Sequence, residues 1–337
     1  MFSHIYIEEK AWNHPNTHYI LKQLTDTRTI TPPTIIPIRH YKDLFNRSNQ
    51  NFELQKNHPN LILALNENST VYKGAPVCQD FGNDHFYYTS FMMNCIYNCE
   101  YCYLQGMYPS ANIVIFVNIE DTFREIETLL LKHPVYLCIS YDTDLLALES
   151  IHGFVHQWAD FCHSHENLII ELRTKSANYT GIQDILPSER FILAWTVSPD
   201  STCKQYEHKT PSLQARLSAI ASAMKQGHPV RLCFDPMLTM KNYKEKYTAL
   251  VEEVASKIPL HQVKDISLGT FRVPADYMKS MRKQHPLSAV IQYPYENDHG
   301  VFHINNKKQQ ELITLMKDLL TNYVKEDKLY LWEEQSK

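Results

Sequence analysis

The stretch Cys95-Ile-Tyr-Asn-Cys99-Glu-Tyr-Cys102-Tyr-Leu-Gln105 holds three cysteines in a C-x3-C-x2-C spacing. Three thiolates on one short loop suit a four-iron, four-sulfur cluster with one iron left without a protein ligand. An electron-transfer cluster normally has every iron held by cysteine. An open iron is a place where a substrate or cofactor can bind. The alternative is structural zinc, which needs a fourth ligand and usually draws on C-x2-C pairs. One gap here is three residues long, and no matching Cys or His pair follows nearby. Disulfides fit less well, because the flanking sequence has no secretory character.

Outward from this loop the chain becomes regular. Apolar, β-branched or aromatic runs at 86–93, 135–140, 168–173, 190–197, 229–235 and 266–272 have the length and residue types of buried strands. Helical patterns lie between them at about 119–132, 144–164, 212–226, 242–257 and 274–284. Ser212 is a plausible N-cap for its helix, and Gly227 followed by Pro229 is a stop. Strand–helix alternation argues a parallel sheet with right-handed crossovers. Six units predict an α/β partial (β/α)6 barrel rather than the complete eight-unit one. Residues 113–117 read as a further short strand, and about 307–324 as an amphipathic helix. Residues 1–84 read as mixed and irregular, with loops at 31–34 and 46–51 and a strand-like run from Leu61 to Leu65. The expected division is an N-terminal mixed α/β extension packed on the barrel (1–84), the barrel (85–285) and a C-terminal hairpin and helix (286–337). The cysteine loop then follows the first barrel strand, at the strand ends where such folds gather their chemistry.

Composition narrows the class. The chain has 337 residues, 44% hydrophobic and 21% charged, which is ordinary for a globular protein. No run of about 18 apolar residues is present, and the start Met1-Phe-Ser-His-Ile-Tyr-Ile-Glu-Glu-Lys10 lacks a basic n-region and an apolar h-region. No membrane association is expected, and a reducing, cytoplasmic location is. A net charge of −4 argues against tight non-specific binding of nucleic acid, though it leaves room for a local basic groove. Cys78, Cys138, Cys162, Cys203 and Cys233 are scattered, and the default for each is a buried core thiol. His152 and His156, four apart on a helix, read as ordinary helix histidines, since no third ligand is in view.

The cysteine spacing, with an aromatic residue (Tyr101) just before the last cysteine, resembles the radical S-adenosylmethionine superfamily. The closer resemblance is to the spore photoproduct lyase family, strongest from about 85 to 238. Cys99-Glu-Tyr-Cys-Tyr-Leu-Gln105 resembles that family's cluster loop. Ile113-Val-Ile-Phe-Val-Asn118 has its counterpart in the same place. Cys138-Ile-Ser140 resembles its second-strand Cys-x-Ser, and Arg173-Thr-Lys175 its third-strand segment. Ser198-Pro-Asp200 and Thr210 to Arg216 follow in similar order.

The resemblance implies a [4Fe-4S] cluster on Cys95, Cys99 and Cys102, and S-adenosylmethionine lined by Tyr101, Ser140, Lys175, Ser198 and Arg216. Lys175 would neutralise the methionine carboxylate. It implies an enzyme, a DNA repair lyase. Such an enzyme splits a methylene-bridged thymine dimer, flipped out of DNA, through a 5′-deoxyadenosyl radical. Cys138 would give a hydrogen atom to the substrate radical and Tyr103 would relay one between Cys138 and 5′-deoxyadenosine. Electrons would come from a small reducing protein such as a flavodoxin or ferredoxin. Asp235, at the end of another strand, is a further candidate contact.

One region departs from the pattern. The family's basic DNA-inserting hairpin corresponds to Gln292-Tyr-Pro-Tyr-Glu-Asn-Asp-His-Gly300, which carries Glu296 and Asp298 and no Lys or Arg. Carboxylates repel phosphates. Tyr293, Tyr295 and His299 are candidates to stack on bases, and Arg272, Lys279, Arg282 and Lys283 are candidates for a backbone-binding patch. A relative acting on another substrate, and a non-catalytic Fe–S or Zn module, therefore stand as alternatives.

Overall fold

The structure, a computed structural model, describes residues 2–26, 32–75 and 78–332. Its centre is a parallel sheet of six strands: β1 (Phe86–Thr89), β2 (Val135–Cys138), β3 (Leu168–Thr174), β4 (Phe191–Thr196), β5 (Val230–Met237) and β6 (Asp265–Thr270). They neighbour one another in chain order. Val71–Lys73 adds to the β1 edge antiparallel, and Leu329–Leu331 to the β6 edge parallel. The ladder does not close on itself, and the architecture is an α/β partial barrel.

Alternation along each strand gives the sheet two characters. Leu137, Ile170, Leu172, Leu193, Trp195, Leu232, Phe234, Ile266 and Leu268 face one way, into the main apolar core. Helices Phe154–His163, Leu213–Gln226, Tyr243–Lys257 and Asn306–Leu320 cover that side. The other face is polar. Tyr136, Glu171, Arg231 and Asp265 are buried there in one bonded group. Tyr136 donates to Glu171 at 2.5 Å, and Arg231 pairs with both carboxylates. Buried charges are tolerated only when paired in this way. This group floors the concave side, and Cys138, opposite Glu171 in the ladder, lies beside it.

The helices fall close to the expected spans. Ser212 caps its helix by accepting from the Ala215 N–H, and Gly227 ends it in the left-handed conformation. Two runs break. The expected helix over 144–164 is in three pieces, Leu146–Leu148, Glu149–His152 and Phe154–His163, interrupted by left-handed Gly153. The run 86–93 splits after Thr89, and Met92–Met93 turns away to pair with Ile113–Phe116.

The N-terminal extension, expected as mixed α/β, holds regular strands and helices where its sequence reads as irregular. His4–Glu8, Thr34–Ile38, Leu61–Ala64 and Ile113–Phe116 form a parallel sheet in the order Thr34–Ile38, His4–Glu8, Leu61–Ala64, Ile113–Phe116. Part of the expected 31–34 loop lies outside the described residues; Thr34 begins a strand. No helix among the described residues is long and apolar enough to cross a membrane.

Candidate active site

The cysteine loop leaves β1 and crosses the mouth of the partial barrel. Cys99 is held by a two-residue antiparallel ladder, Asn98–Cys99 against Glu207–His208. The Glu100 N–H also donates to the Tyr206 carbonyl at 2.9 Å. Gln105 donates to the Cys99 carbonyl at 2.6 Å. Beyond Cys102 the chain turns into a short helix, Leu104–Met107. Gly106 is required there. A Cβ at this position would lie 2.5 Å from the backbone of Tyr277, on the packed helix Ala275–Gln284.

None of the three cysteines is in a disulfide. Burial pushes the Cys95 thiol up to about 12, Asp144 pushes the same way, and Lys56 opposes. Burial also raises Cys99, and Lys175 opposes there. Cationic groups on both sides are what thiolate ligands need. No three His, Cys, Asp or Glu side chains among the described residues converge as ligands of a single ion. A cubane takes three cysteines on three separate irons.

Three of the residues expected to line a cofactor, Tyr101, Ser198 and Arg216, gather around one carboxylate that sequence reasoning missed, Glu207. It accepts hydrogen bonds from the Tyr101 hydroxyl, from Ser198 Oγ at 2.9 Å and from the Arg216 guanidinium. Burial alone would raise its carboxyl, but Lys175 and Arg216 outweigh burial and hold it down to about 2. Lys175 Nζ stands 5.3 Å over the Tyr101 ring, in cation–π range. Its backbone is fixed by the Asp144 carboxylate, which accepts from the Lys175 N–H and from Thr174 Oγ1, both at 2.7 Å. Arg216 is placed differently from its expected role. It is fully buried, and besides Glu207 it bonds the carbonyls of Thr196 and Pro211 and the Thr210 hydroxyl. It props Glu207 from behind. Ser140 lies across the mouth, where its Oγ accepts from the Arg173 N–H at 2.7 Å.

Cys138 is 5% exposed at the end of β2. Burial, reinforced by Glu171, pushes its thiol up to about 12. Tyr103 is also raised, by burial first and Asp142 second. Its hydroxyl donates to the Tyr141 carbonyl at 2.7 Å and approaches Asp142 at 3.2 Å, so it reaches the loop three residues past Cys138. Tyr141 turns its own hydroxyl to the Cys78 thiol. Asp142 and Asp144 had a signal in the sequence, an acidic run directly after a buried strand; Glu207 had none. Thr143 Oγ1, between those two aspartates, is buried without a hydrogen-bond partner, a polar atom suited to a bound molecule.

Asp235 is committed to Arg272 at 3.2 Å, with Arg173 at 3.9 Å. His156 pairs with Glu149 at 2.6 Å, while burial lowers the His152 pKa and its Nδ1 accepts from the Phe154 N–H at 2.9 Å; both histidines are structural.

A family model described as Spore photoproduct lyase matches residues 3–311. The chain belongs to the spore photoproduct lyase family. Curated spore photoproduct lyases of Clostridium acetobutylicum and Bacillus subtilis are each 21% identical to it. The matches run over 178 and 187 residues, 51% and 54% of this chain, and cover 52% and 54% of those relatives. The chain thus spans about half the length of the curated relatives it matches. In three dimensions it is similar to spore photoproduct lyase complexed with dinucleoside spore photoproduct (TM-score 0.83, 14% identity, 98% of each chain). It is equally similar to a variant with bound AdoMet and the same dinucleoside (TM-score 0.82, 15% identity, 98% of each chain). At this identity the likeness establishes a shared fold over nearly the whole chain.

Proposed function

We propose that the protein is a radical S-adenosylmethionine lyase that returns the spore photoproduct, a methylene-bridged thymine dimer, to two thymines. The observation that carries this is the meeting of the three-cysteine loop, Lys175 and Tyr101 at the mouth of a barrel whose interior holds a buried Cys138. Cys95, Cys99 and Cys102 would hold a [4Fe-4S] cluster, and Tyr101, Ser140, Lys175 and Ser198 would line S-adenosylmethionine, with Arg216 acting through Glu207. When bound, these groups supply a carbon-centred radical that removes hydrogen from the lesion.

The chain's own residues account for the rest. Lys175 offers an ammonium to a carboxylate in a site where burial strengthens the attraction. The Arg216 guanidinium satisfies Glu207, so Glu207 does not monopolise Lys175. Cys138 must be a thiol to serve as donor, because a thiolate has no hydrogen to give. A thiol pushed up to about 12 is protonated at neutral pH. Tyr103, a neutral phenol rooted beside the cluster ligand Cys102, is the candidate to restore that hydrogen. The lesion would enter flipped out of its stack, as enzymes acting on bases in duplexes require. A small one-electron donor such as a flavodoxin or ferredoxin, in the reducing cytoplasm, would complete the system.

A second reading is favoured by the hairpin alone. Its tip, Glu296 to Gly300, is exposed and carries no cation. An enzyme with the same radical machinery and a substrate other than duplex DNA would suit that tip.

The test is anaerobic turnover by reconstituted, reduced protein with S-adenosylmethionine and dinucleotide spore photoproduct. We expect the repaired dinucleotide. Formation of 5′-deoxyadenosine with the lesion untouched would favour the second reading. No cofactor cleavage by protein with an intact cluster would refute both.

A further inference from the structure

Lysine is rarely buried without a partner, yet Lys56 is 4% exposed. It lies on the helix Phe52–Asn57 of the N-terminal extension, 39 residues before Cys95. Its ammonium donates to the Cys95 carbonyl at 2.5 Å and to the Tyr97 carbonyl at 2.8 Å. The same helix holds the loop at two further places. Glu53 accepts from the Asn98 amide at 3.1 and 3.2 Å. Gln55 Oε1 accepts from the Ala111 N–H at 2.8 Å and the Ser110 hydroxyl at 3.2 Å. One short helix, capped by Asn51 at the Leu54 N–H, thus grips the loop from Cys95 to Asn98 and again beyond Cys102, at Ser110 and Ala111.

The Lys56 ammonium contacts two carbonyls and the Phe52 ring, which is 5.6 Å away. Carbonyls satisfy its donors without cancelling its charge. Lys175 brings a like charge to the Cys99 side, but a bound carboxylate would neutralise it. Lys56 has no such ligand to meet, so its charge stands throughout turnover. Reducing an iron–sulfur cluster by one electron makes it more negative, and its potential responds to nearby charge and hydrogen bonding.

We propose that Lys56 is a positioning residue for the cluster, clamping the Cys95–Tyr97 turn and placing a positive charge beside Cys95 that makes the cluster easier to reduce. The step concerned is entry of one electron from an external one-electron donor; no bond forms or breaks. The inference rests on the reading that Cys95, Cys99 and Cys102 hold a cluster.

The experiment reconstitutes wild type, Lys56→Met, Lys56→Gln and Lys56→Arg anaerobically, measures iron and sulfide, and follows reduction by EPR during a potentiometric titration. With iron and sulfide at wild-type levels, Lys56→Met is expected to disfavour reduction tenfold or more. That corresponds to a fall of at least 59 mV for a one-electron couple. Lys56→Arg, which keeps the charge, is expected to stay within that interval of wild type. A full cluster in Lys56→Met at the wild-type potential would overturn the proposal. If Lys56→Met does not retain its cluster, Lys56→Gln, an uncharged donor, decides: a lowered potential supports the proposal and an unchanged one overturns it. A wild type that binds no cluster would instead refute the functional reading beneath it.

Discussion

Two regions outside the six-stranded sheet reach the cysteine loop, and they do so in different ways. On the N-terminal side, the helix Phe52–Asn57 meets the loop through partly buried polar contacts, with Lys56, Glu53 and Gln55 each on a named partner. On the C-terminal side, helix Ala275–Gln284 packs against Leu104–Met107, and Gln284 donates to the Gln105 carbonyl at 2.8 Å. That helix leads to a three-stranded sheet of Arg272–Pro274, Val301–His303 and Glu296–Asp298. Its outermost strand is exposed along its whole length. The first region fixes the geometry of the loop, which chemistry there would need. The second presents a surface, whose partner is set by the charges it carries.

The surface is less basic than the sequence suggests. Of the four cations upstream, Arg272 pairs with Asp235 and lies 4.3 Å over Trp332. Arg282 donates to the Ile291 and Tyr293 carbonyls at 3.3 Å and stacks 5.0 Å from Phe302. Lys279 and Lys283 are the two that face solvent. Tyr295, a candidate for base stacking, is buried against Phe271, with ring centres 4.9 Å apart. Tyr293 is half-buried and His299 is exposed; His299 and Gly300, both at positive φ, form the two-residue turn of the hairpin.

The difference between the two regions can be attacked at two points. The larger effect is expected between the two, at the buried carboxylate of the strand that pairs with the cysteine loop. Glu207→Gln leaves Arg216 without its carboxylate, and breaking a buried pair costs about 3–5 kcal/mol, read as a lower urea midpoint of the apo-protein. The sign with pH follows from the depressed carboxyl. Its stabilisation is complete above the ordinary value of 4.5 and is lost as pH falls toward about 2. Acid titration should therefore destabilise wild type over that window more than Glu207→Gln. A smaller effect is expected at the exposed end. Asp298→Lys should steepen the salt dependence of duplex binding by about one unit of log K against log salt. It should leave turnover of a dinucleotide lesion unchanged. A change in dinucleotide turnover would mean that the hairpin takes part in the chemistry.

The sequence disclosed the parts whose local pattern carries their role. Buried strands such as Leu168–Thr174 announce themselves by their apolar outer faces, and the cysteine loop by its spacing. What escaped depends on contacts distant in the chain. Glu207 sits in a two-residue strand with no periodicity, and its importance comes from Tyr101 and Arg216. Thr34–Ile38 is an edge strand with Pro37 inside it and exposed residues on both faces, so it has no amphipathic signature. Lys56 reads as a surface lysine until the fold brings Cys95 to it. Cys138, Ser140, Lys175 and Ser198 entered through family resemblance, since each residue type alone has a bland explanation.

The central claim is that Cys138 hands a hydrogen atom to the substrate. A thiol hydrogen exchanges with solvent and a carbon-bound one does not. The most direct measurement is turnover of dinucleotide spore photoproduct in D2O by wild type beside Cys138→Ala, with mass analysis of the thymine methyl groups. Wild type is expected to place one deuterium in one methyl group, while Cys138→Ala still cleaves S-adenosylmethionine but diverts the lesion to adducts. Clean, unlabelled repair by wild type, or clean repair by Cys138→Ala, would contradict it.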